Sequence, residues 1–294
     1  MITLSKKEFD ILVFLLEQEE ELTQKVIAHE LKVSVGTVNK LIKDLNEREL
    51  LDRYTVTEKG LAALEPYRVK NACFLAAGFG SRLVPITLNT PKPLVRVHGV
   101  RIIDTLLDAV VAAEIENIYI VCGYLREQFE LLYEKYPMIH LIDNPDYNVT
   151  NNISSAVLLG DKVVNSYMFE ADLFLRNPKL VTKYQYCTNF LGIPMERTDD
   201  YCFHVKNGRI VARTRGGYNC FQTVGIAYYN EKDGKLYQEM LKKAYDSPGG
   251  KELFTGDSLD LKKMFISYRE CSADDVIEID TFKELQDFDS AYRI

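Results

Sequence analysis

The chain has no tryptophan and only four histidines in 294 residues. Without tryptophan, the strongest aromatic partner for a cation is missing. Any cage for a quaternary ammonium must then come from the 18 tyrosines and 14 phenylalanines. His29, His98, His140 and His204 are scattered, with no pair at metal-ligand spacing and no nucleophile motif that would need one as a base. Positive charge is also short. The net charge is −7, so nothing draws the whole molecule to nucleic acid or to an anionic membrane, and any phosphate must be held by a local site. The six cysteines (Cys73, Cys122, Cys187, Cys202, Cys220 and Cys271) form no CxxC pair. That speaks against a zinc knuckle or disulfide framework and suits a reducing compartment. No apolar run is long enough to span a bilayer, and MITLSKKEFD carries charge where a signal peptide would be apolar. A cytoplasmic protein is expected.

The N-terminal pattern is helical. Phe9, Leu12, Val13 and Leu16 recur at helical spacing. Thr23 can cap a second helix bearing Val26, Ile27 and Leu31. Ser34 can cap a third with Val35, Val38, Leu41, Ile42 and Leu45. LLDRYTVTEKG then reads as a small β-wing. Residues 1–68, above all AHELKVSVGTVNKLIKDLNERELL, resemble the winged helix-turn-helix modules of bacterial regulators. The resemblance implies DNA as a partner, with Ser34, Thr37, Asn39, Lys40 and Lys43 facing the groove. Acidic residues outnumber basic ones across this segment, which weighs against phosphate-driven binding and keeps an interaction or dimerisation role open.

Beyond Lys70 strands alternate with helices. NACFLAAG, NIYIVCG, IHLIDN and SYMFEAD read as strands. IIDTLLDAVVAAEI, REQFELLYEKY and NNISSAVLLGDKV read as helices. Such alternation predicts right-handed βαβ units and a mainly parallel sheet. Residues 187–229 are richer in strands and turn at Asn207-Gly208, and VIEID and a helix from Thr281 close the chain. The expected fold is an α/β domain over 69–294. It has a Rossmann-like, mainly parallel sheet and a small antiparallel lobe, preceded by an α-rich winged helix-turn-helix domain over 1–68.

The first βα loop reads LAAGFGSRLVPITLNTPKPL, from Leu75 to Leu94. In a parallel sheet this is where ligands bind, and glycines let backbone amides close around an anion. There is no Gly-Lys-Ser/Thr, and Leu83 stands where a dinucleotide fingerprint needs its third glycine. What remains is an amide nest, the planar fork of Arg82, and Lys92 on a stiff Pro91-Lys92-Pro93 segment. The joint pattern LAAGxGSRLxPxTxxxPKPL resembles the N-terminal motif of the sugar-phosphate-type nucleotidyltransferases. DNPDYNVTNNISSAVLLGDKVVNSYMFEADLFL, VCGYLREQFELLYEKY and VIEIDTFKELQDF extend the resemblance to the bacterial CTP:phosphocholine cytidylyltransferases, over about residues 71–294.

The resemblance implies a nucleotide site formed by Leu75, Ala76, Ala77, Gly78, Gly80, Ser81 and Arg82, with Arg82 and Lys92 acting on the phosphates. It implies Mg2+ held by Asp172 and Asp280, with Glu170 and Glu278 as neighbours of undefined role. It also implies CTP and a small phosphorylated or phosphonate acceptor as ligands, no membrane partner, and a homodimer as an open option. For the acceptor, the candidates are Tyr147, Asn152, Tyr201, Tyr218 and Asp257, with Phe254 as a further ring. Phosphocholine is the first expectation. 2-Aminoethylphosphonate and a sugar 1-phosphate stay open. A regulator whose second domain only senses a ligand is the competing reading, although Gly78, Gly80, Arg82, Lys92, Asp172 and Asp280 form a complete catalytic set.

Overall fold

A computed structural model describes residues 2–18 and 23–293. Glu19, Glu20 and Glu21, part of the acidic excess of the N-terminal segment, lie outside the described residues. The chain forms two compact units. One comprises residues 1–68 with Tyr184–Tyr186, the other 69–183 with 187–294.

The first unit is built on capped helices: α1 (Lys6–Leu16), α2 (Gln24–Glu30), α3 (Val35–Glu47) and α4 (Glu58–Leu64). Ser5, Thr23, Ser34 and Thr57 each accept an orphan helix N–H, and Ser5 forms a full capping box with Glu8. The short strands β1 (Leu51–Asp52) and β2 (Thr55–Val56) pair antiparallel as the wing. Leu12, Ile27, Val38, Leu45 and Leu50 are fully buried between the helices. Leu16, Val26 and Val35, read from the sequence as part of the apolar stripes, are exposed. Leu16 and Val35 sit at helix ends, past the reach of the core, and Ile27 takes the core position beside Val26. Tyr184 joins this core, and Tyr186 packs against it, its ring stacked on Tyr67 at 5.4 Å.

The second unit begins with β3 (Asn71–Ala76) and the glycine loop, then β4 (Arg96–Val97), β5 (Val100–Arg101), α5 (Ile102–Ala112), β6 (Asn117–Cys122) and β7 (Ile139–Asp143). There follow α6 (Ile153–Leu159), β8 (Ser166–Glu170), β9 (Leu173–Leu175), β10 (Asn189–Lys206) and β11 (Arg209–Tyr229). The chain finishes with α7 (Glu231–Tyr245), β12 (Ser267–Glu270), β13 (Val276–Glu278) and α8 (Phe282–Phe288). Seven strands form one sheet in the order β12-β10-β11-β8-β3-β6-β7. β8, β3, β6 and β7 are mutually parallel, the α/β half the alternation predicts. The antiparallel strands continue that sheet: β11 pairs with β8, and β10 with β11, through a turn in which Asn207 and Gly208 both have positive φ.

Residues 126–134, expected as an α-helix, form a 3₁₀ run instead. Its three-residue period puts Phe129 and Leu132 on one buried side and leaves Tyr133 exposed. Helices α4 and α7 and strands β4, β5, β9 and β12 had no counterpart in the sequence reading, which continued the wing through Gly60 where α4 begins at Glu58.

Candidate active site

Strand β3 is buried, and its chain emerges at Ala77 into the glycine loop. Gly80 has φ +70°, a left-handed conformation that favours glycine, and a Cβ there would lie 3.1 Å from the Lys92 Cβ. Its carbonyl accepts hydrogen bonds from Thr87 Oγ1 and Leu83 N, both at 2.9 Å, which draws residues 80–92 into a compact loop. A Cβ on Gly78 would meet nothing within 4 Å, so its backbone faces open space where a ligand can approach. Lys92, placed by the flanking prolines, is only 7% exposed.

Asp172 and Asp280 are far apart in sequence, and a two-strand ladder brings them together. β9 pairs antiparallel with β13, Leu173 opposite Glu278, and Ile279 N donates to Asp172 O at 3.4 Å. Lys92 Nζ then sits between the two carboxylates, donating to Asp172 Oδ2 at 2.8 Å and to Asp280 Oδ1 at 2.6 Å. Arg82 reaches the same Asp280 oxygen at 2.9 Å from the exposed rim. Burial works against the charge on Lys92, but Asp172 and Asp280 outweigh it and hold the ammonium above its ordinary pKa.

Two more carboxylates complete the floor. Oxygens of Glu170, Asp172 and Glu278 lie within 4.8 Å of one another. Burial, followed by the neighbouring Asp172, pushes Glu170 up to about 7. Burial together with Asp172, Asp280 and Glu170 pushes Glu278 up to about 9. Asp172 Oδ1 is buried and has no hydrogen-bond partner. An orphan anionic oxygen within a set of crowded carboxylates fits a hard divalent cation such as Mg2+.

These groups line a cavity of 970 Å³. Leu75, Ala76, Ala77, Gly78, Gly80, Arg82, Lys92, Asp172 and Asp280 all face it. Ser81 is exposed at the start of the 3₁₀ turn Ser81–Leu83 and is not part of the wall. Tyr147 and Asn152 come from the loop before α6. There the buried Asn144 donates to Ser154 Oγ and Ser155 Oγ at 2.9 Å each, and Gly123 leaves room for the Tyr147 ring. Tyr201 lines the cavity, its ring 6.2 Å from that of Phe254. A smaller chamber of 440 Å³ continues from this end. Asp257 lies there, its carboxylate accepting from Phe254 N at 2.9 Å. Tyr218 is in neither wall. It is 67% exposed, with the Arg197 guanidinium 5.7 Å from its ring centre. Asp200, Arg213 and Arg215 line the smaller chamber and escaped the sequence reading. The alternation in Ala212-Arg213-Thr214-Arg215 was the available signal, since residues two apart on a strand share a face.

A family model described as nucleotidyl transferase matches residues 71–177, and one described as MarR family matches residues 2–60. The 2-aminoethylphosphonate cytidylyltransferase of Lancefieldella rimae is 34% identical over 228 residues, covering 76% of this chain and 93% of its own length. The choline-phosphate cytidylyltransferase of Streptococcus pneumoniae is 30% identical, over 72% of this chain and 94% of its own. The solved structure of CTP:phosphocholine cytidylyltransferase from Streptococcus pneumoniae superposes with a TM-score of 0.71 at 25% identity, covering 77% of this chain and 100% of that one.

Proposed function

Because the chain belongs to the nucleotidyl transferase family, and within it to the cytidylyltransferases, we propose that it transfers CMP from CTP to 2-aminoethylphosphonate. The observation that carries this choice is the acceptor end of the cavity. Two rings, Tyr201 and Phe254, share that chamber with the carboxylates of Asp200 and Asp257. A trimethylammonium has no N–H and is best met by a cage of several rings, whereas a primary ammonium has three donors and is met by carboxylates. Tyr218, expected as a further ring, lies elsewhere. The likeness to the Lancefieldella rimae enzyme supports the same acceptor.

In this reading a phosphonate oxygen attacks the α-phosphorus of CTP in line. A new P–O bond forms as the α–β bridging bond breaks, and pyrophosphate leaves with the electron pair. No side-chain nucleophile is needed. The amides of the glycine loop and the fork of Arg82 hold the β- and γ-phosphates, and Lys92 faces the reacting phosphate. Asp280 accepts from both cations, from Lys92 on the buried side and from Arg82 at the exposed rim. Asp172 and Asp280 would hold Mg2+, with Glu170 and Glu278 within reach of Asp172. When bound, the metal neutralises charge on the phosphates.

The test is pyrophosphate release from CTP, UTP, ATP and GTP, each offered with 2-aminoethylphosphonate, phosphocholine and sugar 1-phosphates. Turnover is expected with CTP and 2-aminoethylphosphonate. Turnover with phosphocholine alone would transfer the assignment to that acceptor, and none with any pair would end the transferase reading.

For residues 1–68 we propose duplex DNA as the partner. From Ser34 to Lys43 there is no acidic residue, and Asn39, Lys40 and Lys43 are exposed on α3. Ser34 and Thr37 are instead engaged with each other in the helix cap. Replacing Lys40 and Lys43 by Ala is expected to weaken a gel shift and flatten its salt dependence by about one to two units of slope. A shift unchanged by the substitutions would exclude this face.

A further inference from the structure

Residues 250–258 form one wall of the acceptor end, contributing Phe254, Gly256 and Asp257. Their backbone is irregular, with 3₁₀ turns at Gly250–Glu252 and Thr255–Ser258 and no strand partner. A wall without a hydrogen-bonded ladder depends for its place on groups reaching in from elsewhere.

We propose that Asn152 and Arg213 are positioning residues that set acceptor recognition by pinning this wall from both sides. The inference rests on reading the cavity as a cytidylyl-acceptor site. From the α6 side, Asn152 Oδ1 accepts from Thr255 N at 2.9 Å. The preceding residue adds two bonds: Asn151 N donates to Lys251 O at 2.8 Å, and its side-chain amide donates to Glu252 O. From β11, Arg213 donates through a terminal guanidinium nitrogen to Gly256 O at 2.6 Å.

The two terminal nitrogens of the guanidinium fork close on Gly256. A Cβ on Gly256 would fall 2.2 and 2.4 Å from the two terminal nitrogens, so only glycine admits this contact. The same positive charge acts on Glu170, two residues before Asp172. Arg213 therefore links the acceptor wall to the acidic floor. A displaced wall moves Phe254 and Asp257 away from the acceptor and leaves the glycine loop, where the nucleotide binds, as it was.

The experiment measures KM separately for CTP and for the acceptor in the full chain carrying Asn152→Leu, Asn152→Asp, Arg213→Gln, Gly256→Ala or the last two together. Asn152→Leu, Arg213→Gln and Gly256→Ala are each expected to raise the acceptor KM about tenfold, the effect of one lost hydrogen bond. KM for CTP should stay within about twofold. Asn152→Asp keeps the accepting oxygen and should restore the acceptor KM. Gly256→Ala with Arg213→Gln should be no worse than either alone, because both break the same contact.

An unchanged acceptor KM, a parallel rise in both KM values, an Asp variant no better than Leu, or full additivity would each overturn the proposal. Should the unaltered chain turn over no acceptor, the transferase reading fails separately. The tethers are then judged by amide exchange: no faster exchange across residues 250–258 in Asn152→Leu and Gly256→Ala overturns them as well.

Discussion

Lys92 is buried and keeps its charge because Asp172 and Asp280 each accept one of its N–H groups. Lys92→Met keeps much of the stem and removes the charge. It is expected to lower pyrophosphate release by about 10²–10³-fold, the usual loss for one preorganised electrostatic contact. CTP binding through the loop amides and Arg82 should persist, as equilibrium dialysis with labelled CTP would show. Glu170 and Glu278 make the opposite demand. Their folded pKa values, raised to about 7 and about 9, lie above the ordinary carboxyl value, so folding favours their protonated forms. Their contribution is complete below about pH 4.5 and is lost as pH rises through 7 and then 9. Glu278→Gln imitates the protonated group. In EDTA, its melting temperature should gain on the unaltered chain between pH 6 and pH 9. An offset that stays constant with pH would show that Glu278 does not titrate in this window.

Among the elements, the glycine loop and the β9–β13 ladder decide the site. Gly80→Ala would force a side chain into a left-handed residue against Lys92 and Thr87. The expected cost is about 1–2 kcal/mol of stability, read from denaturant unfolding, together with reduced turnover. A normal denaturation midpoint with normal turnover would show that the loop tolerates a different path. The loop could be identified in the sequence because its chemistry is local: glycines, an arginine and a proline-flanked lysine follow a buried strand. The ladder could not be, since each strand has three residues and its pairing joins segments about 100 residues apart. Residues 126–134 show the same limit. Buried Phe129 and Leu132 suit an α-helix and a 3₁₀ helix equally, and packing selects between them.

At the scale of the whole molecule, the N-terminal unit is discontinuous. Residues 184–186 return to it, and Tyr186 stacks on Tyr67, lies 5.4 Å from the Phe9 ring and donates to Leu4 O at 3.1 Å. Tyr186→Ala is expected to destabilise this unit by about 1–3 kcal/mol, seen as an earlier transition in thermal melts. A fragment ending at residue 68 should melt earlier still, since it lacks both tyrosines. Equal melting of the fragment and the full chain would show that the returning segment adds nothing. Nothing between residues 183 and 187 signalled the excursion, because three residues are too few to carry a period.

What the sequence determined by itself was everything encoded over short distances. The first three helices of the first unit, the parallel strands, the glycine loop and the candidacy of Asp172 and Asp280 all rest on residues within a turn or a strand of one another. Tertiary structure alone decided how those carboxylates share Lys92, that Glu170 and Glu278 crowd Asp172, that Tyr218 stands outside the cavity, and that Asn152 and Arg213 converge on residues 250–258. The physical reason is that charge coupling and hydrogen bonding act through space over a few ångströms, and only the packed chain brings residues from distant segments within that range.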